Sequence, residues 1–409
     1  MMRISQPKIT RQQQDILYSV DVESANGPQA LWYRLNHTFA GLLTDSSDAP
    51  LAALLIPAMA QGEDIYVDSP VSPRLMHNLS GPYQRLLRHI IPLLKLIRIY
   101  SDVTPVERPR VTGVATGFSA GIDSYCTLAD YYYSQVPRHL KITHLLYHNV
   151  GSHGRGEKGD QLFQKRFSAL EPVVARLGVP FIKINSNIDS FYNERIGFHK
   201  THTLRNVSAA LLLQGGIGRY IYSSSYAFTD IFVGETYSMA YSEPVALPFL
   251  STETFEAVSA GGEYTRVEKT LRVSDIPDSY NTLDVCVSGE NAGNCSVCWK
   301  CLRTLLTLDI AGRMARYSAS FDLDAYRRKK GAFITDVLRS RDPLLKEIVR
   351  FAADRGYSFP VLPYVLGRVL CCLDRIKYII KIPLRAIRGL FRGLLAILRR
   401  KDSCSCPPH

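Results

Sequence analysis

The chain has 409 residues, of which 46% are hydrophobic and 21% charged, and it carries a formal charge of +12. This balance argues against disorder as the default and leaves enough apolar material for at least one large core and two or three domains. Residues 361–401 hold ten Lys and Arg against one Asp, so the basic excess belongs to the tail and argues against a nucleic-acid-binding body.

The first fourteen residues, MMRISQPKITRQQQ, contain no apolar stretch, so no secretory signal is visible and a cytoplasmic protein is expected. β-rich runs at 16–22, 30–35 and 64–67 surround an apolar run at 51–60, which is too short to span a bilayer and belongs in a core. Ser72-Pro73 opens a helix expected to reach about residue 96. Residues 1–105 therefore predict a small α+β domain with no chemical motif. A cluster of Pro105, Glu107, Arg108, Pro109 and Arg110 then reads as a linker.

From residue 111 strands alternate with helix-length segments: strands at 142–149, 181–184 and 219–223, and helices from about 160 to 177 and from 203 to 214. Such alternation predicts a parallel five-stranded type of sheet with helices on both faces over 106–325, whose ligands lie beyond the carboxyl ends of the strands. A further strand, carried by Val111, Val114 and Ala115, runs into Ser119-Ala120-Gly121-Ile122-Asp123-Ser124 and then an apolar-periodic helix. Strand, small-residue turn and helix start make an anion site, because the first helical amides lack intrahelical partners and the small residues admit a ligand to the backbone. The turn lacks the Gly-Lys-Ser/Thr of a Walker loop and the spacing of a dinucleotide turn. Cys126 falls inside the helix and reads as a small core residue. Asn149 opens a polar loop, 149–156, at a second strand end, where contact with an adenosine is expected. Arg266 and Lys269, three apart, share a face if their segment is helical and would neutralise a triphosphate.

Cys286, Cys295, Cys298 and Cys301 follow a C-x8-C-x2-C-x2-C pattern, with Gly289, Gly293 and Asn294 supplying turns and Lys300 and Arg303 placed to offset the negative charge of a tetrathiolate site. Four thiolates without His suit a closed tetrahedral zinc site of structural role; an iron–sulfur cluster is the rival occupant. A helix is expected at 302–308 and another at 333–353. In residues 364–401 apolar residues alternate with Arg and Lys at helical spacing, which predicts a basic amphipathic tail lying on an anionic membrane face or on a partner protein.

The turn at 119–124 resembles the S-x-G-x-D-S signature of the PP-loop ATP pyrophosphatases, and the cysteine spacing beyond it resembles 7-cyano-7-deazaguanine synthases, a branch of that superfamily. The resemblance covers residues 111–312. It implies a HUP-like fold, with ATP and Mg²⁺ as cofactors, Ser119, Gly121 and Ser124 holding the departing pyrophosphate, and Asp123 orienting the loop or its Mg²⁺. Ala120 stands where many members have Gly. An Arg-Asn pair at a comparable helix start in that branch implies that Arg205 reaches a phosphate or carboxylate. The implied reaction is AMP-forming ligation or amidotransfer on a carboxylate or carbonyl oxygen of a small molecule or sugar, completed by ammonia or another nucleophile. A tRNA- or nucleobase-modifying enzyme and an inactive nucleotide-binding scaffold at the membrane are the alternatives.

Overall fold

A computed structural model describes residues 1–103, 109–193, 195–286, 293–367 and 369–370. Most of the expected tail, with Cys371 and Cys372, lies outside the described residues, as do Cys404 and Cys406 beyond it, Glu107, Arg108 and Pro105 of the linker and Gly289 of the cysteine loop. Two compact units are present, Met1–Tyr326 and Arg327–His409.

The first unit is α/β and is built on one mixed sheet of eleven strands. Its N-terminal part contributes β1 (Met2–Ile4), β2 (Lys8–Gln12), β3 (Asp15–Ser24), β4 (Gly27–Asn36), β5 (Ile65–Val67) and β6 (Ile99–Tyr100). The later part contributes β7 (Gly113–Gly117), β8 (His144–Asn149), β9 (Phe181–Ser186), β10 (Ile217–Ser223) and β11 (Glu256–Ala260). The order is β11-β10-β7-β8-β9-β4-β3-β1-β5-β6, with β2 added to β3. Within β7 to β11 every pairing is parallel, as the βα alternation requires.

The expectation of a parallel sheet is corrected by the continuation of the same sheet across β9, where β4 pairs antiparallel through Tyr33–Ser186 and Arg34–Asn185. Side chains secure this seam. The Trp32 amide donates to Asn187 Oδ1 at 2.8 Å, and Asn187 Nδ2 donates to the Ala30 carbonyl at 2.7 Å. Because β3 and β4 form a long hairpin, the β9 edge receives an antiparallel partner rather than a sixth crossover strand.

The apolar run predicted for a core is α1 (Asp48–Gln61), buried from Asp48 to Met59 and packed on α6 (His202–Leu211). Pro57 inside α1 has no N–H to give the Ala53 carbonyl; Tyr192 Oη donates to that carbonyl at 2.7 Å instead. The single helix expected at 73–96 is two, α2 (Pro73–Ser80) and α3 (Pro82–Ile90), because Gly81-Pro82 removes an amide and breaks the turn.

The crossover and edge helices of the unit are α4 (Ile122–Leu128), α5 (Gly156–Leu177), α7 (Glu243–Ala246), α8 (Arg266–Val273) and α9 (Trp299–Ile310). The helix expected at 333–353 is likewise divided into α10 (Leu323–Arg339) and α11 (Pro343–Asp354), where Asp342 caps the second helix by accepting from the Leu344 amide. No described helix is long and apolar enough to cross a membrane.

Candidate functional site

β7 ends at Gly117, and α4 begins five residues later at Ile122, so the turn predicted from 119–124 stands at the carboxyl end of a central strand. The Phe118 amide donates to the Leu146 carbonyl at 2.9 Å, which fixes the loop against the middle of β8. Ser119 is exposed, whereas Ala120 is fully buried and held at a φ of +54°. That is the left-handed conformation glycine adopts freely, and an alanine there costs roughly 1 kcal/mol. The Ala120 carbonyl is held in turn, accepting from the Asp284 amide at 2.9 Å. Gly121 precedes α4 without a side-chain cap, and Ser124 Oγ donates to the Gly121 carbonyl at 3.0 Å. Ile122 and Ser124 are buried beneath the turn, so Ser119 is the hydroxyl that faces out.

Asp123 leaves the first turn of α4 and meets α8. Arg266 approaches it bidentately, Nη1 to Oδ1 and Nη2 to Oδ2, each at 2.8 Å, and Lys269 Nζ lies 3.3 Å from Oδ1. The two cations are on one face because Thr265 and Glu268 form a reciprocal capping box that starts α8 immediately before Arg266. Their remaining donors reach the carboxyl end of β10: Arg266 Nη2 to the Ser225 carbonyl at 3.0 Å, and Lys269 Nζ to the Ser224 carbonyl at 2.5 Å.

Burial pushes the Asp123 carboxyl up, but Arg266 and Lys269, with a further contribution from Arg303, overcome it and hold the carboxyl below its ordinary range. Lys300 feels the opposite surroundings. Burial lowers its pKa, and the nearby Arg303 and Arg266 lower it further, against the opposing pull of Asp123 and Cys298. Two cations of α8 thus pair with Asp123 and two of α9 lie within its electrostatic reach, Lys300 also within that of Cys298, which leaves a positive field that favours an anion. A buried Arg266 Nε carries no hydrogen bond within the described protein.

The four cysteines converge as their spacing predicts. Their sulfurs all lie within 4.8 Å of one another and could hold a metal ion. Two backbone amides donate to sulfur, Cys295 N to Cys286 Sγ at 3.4 Å and Cys298 N to Cys295 Sγ at 3.2 Å, and Ser296 takes a φ of +62° to turn the knuckle. Amides aimed at sulfur favour thiolate ligands, and a donor set of four sulfurs fits a tetrahedral ion. Asn294 ties the knuckle to the chain, its Nδ2 donating to the Leu283 and Ser320 carbonyls at 2.6 and 3.0 Å. Asp284, whose amide holds Ala120, accepts from the Cys286 amide through Oδ1 at 3.0 Å, and Cys298 precedes α9, which bears Lys300 and Arg303. The cysteine knuckle thus touches the turn on one side and delivers two of its cations on the other.

Arg205 has different company. Its Nη1 donates to Asp189 Oδ1 at 2.5 Å and to the Val150 carbonyl at 3.1 Å, and its guanidinium lies 3.7 Å from the Tyr192 ring centre. These contacts pin the chain that leaves β8. Asn149, buried at the end of β8, donates to Asp160 Oδ1 at 3.1 Å and Asn185 Oδ1 at 2.8 Å, which ties β8 to α5 and β9. Cys126 is buried, and desolvation pushes its thiol up to about 12, so it is a core residue as predicted.

Two features carried no motif. The first is a buried polar group beyond β10: His202 Nδ1 bonds Tyr222 Oη at 2.8 Å and lies 3.7 Å from Glu243 Oε1, which accepts from Thr203 Oγ1 at 3.2 Å. Burial pushes the Glu243 carboxyl up to about 8 and His202 down to about 3, so both are neutral at pH 7. The second is the loop after β10, which places five aromatic residues in the sixteen positions 226–241; that density was the available signal. Known protein families, curated proteins and solved structures were all compared with the chain, and none matches.

Proposed function

We propose that the turn at 119–124 binds ATP and that the protein is an AMP-forming ligase or amidotransferase of the PP-loop, HUP-like type. The supporting observation is the Asp123 constellation: a backbone turn with an uncapped helix start, set among four cations of which α8 and α9 supply two each. The surplus of positive charge suits the β and γ phosphates, and the amides of Gly121, Ile122 and Asp123 with the Ser119 hydroxyl suit the pyrophosphate as it departs. A carboxylate or carbonyl oxygen of a small-molecule or sugar acceptor attacks the α-phosphorus, the α–β bridging bond breaks, and pyrophosphate leaves with that electron pair. Ammonia or another nucleophile then attacks the activated carbon, and AMP departs.

Asp123 serves as an orienting group, since both of its oxygens already meet Arg266. Mg²⁺ would add charge neutralisation on the phosphates. Zinc is the reading for the four-cysteine site, in a structural role, because four sulfurs leave no ligand position open. Incubation with ATP and Mg²⁺ across a panel of carboxylic acids with ammonia tests the reading. AMP and pyrophosphate in equal amounts support it; ADP, or nucleotide left intact with every acid, refutes it.

A further inference from the structure

We propose that the loop 224–241 is the acceptor subsite and that it selects a sugar acid, a pyranose ring bearing a carboxylate; this rests on the ligase reading above. The loop begins at Ser224 and Ser225, the residues whose carbonyls hold Lys269 and Arg266, so it rises directly beside the cation cluster. Large apolar side chains are normally covered, yet here Phe228 is 58% exposed, Phe232 45% and Tyr237 61%. An exposed aromatic patch of this kind at the carboxyl end of a parallel sheet marks a ligand surface.

The surface is built in advance. Tyr226 stacks on Tyr241 with ring centres 4.0 Å apart, the Phe232 amide donates to the Tyr241 carbonyl at 3.0 Å, and the Phe228 amide donates to the Gly262 carbonyl at 2.6 Å. The Phe228 ring packs directly over Gly262, where a β-carbon would stand 2.4 Å from it and displace the ring. Rings held this way lose little freedom when a ligand settles on them.

The chemistry of the loop favours a hydroxyl-rich ring. Tyr226 Oη and Tyr237 Oη are 2.5 Å apart, and Tyr237 Oη is 3.2 Å from Tyr241 Oη, forming a row of phenols that both donate and accept. Exposed Glu235 adds an acceptor on the rim. Aromatic faces cover the C–H face of a pyranose, phenols and carboxylate meet its hydroxyls, and the positive field of the buried α8 cations, which already pair with Asp123, favours its carboxylate at a distance.

The test is binding of D-glucuronate, benzoate and acetate to the full-length protein without nucleotide, read by saturation-transfer NMR and titration. Omitting nucleotide separates this proposal from the ligase reading, which product analysis tests independently. Glucuronate binding that weakens at least tenfold in Tyr237→Ala and Phe228→Ala, with melting temperatures unchanged, is the expected result. Benzoate or acetate binding as tightly as glucuronate, no binding of glucuronate, or equal glucuronate affinity in both variants overturns it.

Discussion

A β-carbon at residue 120 is tolerated because everything around it is fixed: Ala120 is buried, held in the left-handed region, and tied through its carbonyl to Asp284. An alanine in this left-handed conformation costs conformational energy that the surrounding contacts offset. Glu243 shows how burial writes itself into a pH dependence. Its folded carboxyl is raised to about 8 from an ordinary 4.5, so the folded chain keeps a proton that the unfolded chain releases. Stability accordingly falls as pH rises through that interval, and the loss is complete above about 8. His202 and His148, lowered to about 3 and about 4, act on the other side, where acid removes stability below the ordinary histidine range. Urea unfolding from pH 5 to 9 should show Glu243→Gln losing less stability than the wild type as pH rises from 5 to about 8; parallel slopes would show that the carboxyl is ionised throughout.

The elements that carry the site differ in how legible they were. Thr265 and Glu268 mark the start of α8, so the placement of Arg266 and Lys269 on one face followed from local rules, and the cysteine spacing announced its own convergence. The link between these pieces was not legible, because it runs through backbone atoms: the Asp284 amide to the Ala120 carbonyl, and α9 starting directly after Cys298. Gly81-Pro82 and Asp342-Pro343 were visible breakers that long helical periodicity concealed. The knuckle touches the turn, so removing bound metal with a chelator should weaken ATP binding, measured by titration calorimetry, by about tenfold. Restoring zinc should recover it, and Cys298→Ser should lose both metal and affinity. Unchanged ATP affinity after complete metal loss would confine the cysteines to local stability.

At the scale of the whole molecule, the sheet was the main surprise. Its five parallel strands follow from βα alternation, but the β4–β9 seam depends on contacts such as Trp32 with Asn187, more than 150 positions apart, that no local pattern encodes. Strands from 1–105 and from 106–325 consequently share one sheet within the unit Met1–Tyr326. Charge is likewise a matter of place: the +12 of the chain resides mainly in the tail, and the positive field at the turn comes from four residues of α8 and α9. The central claim is that this field and the turn at 119–124 grip two linked phosphoryl groups. Calorimetric titration of the full-length protein with inorganic pyrophosphate tests it most directly. Saturable binding at one site, weakened at least tenfold in Lys300→Met, is the predicted result; no heat of binding, or equal affinity in that variant, would contradict the account.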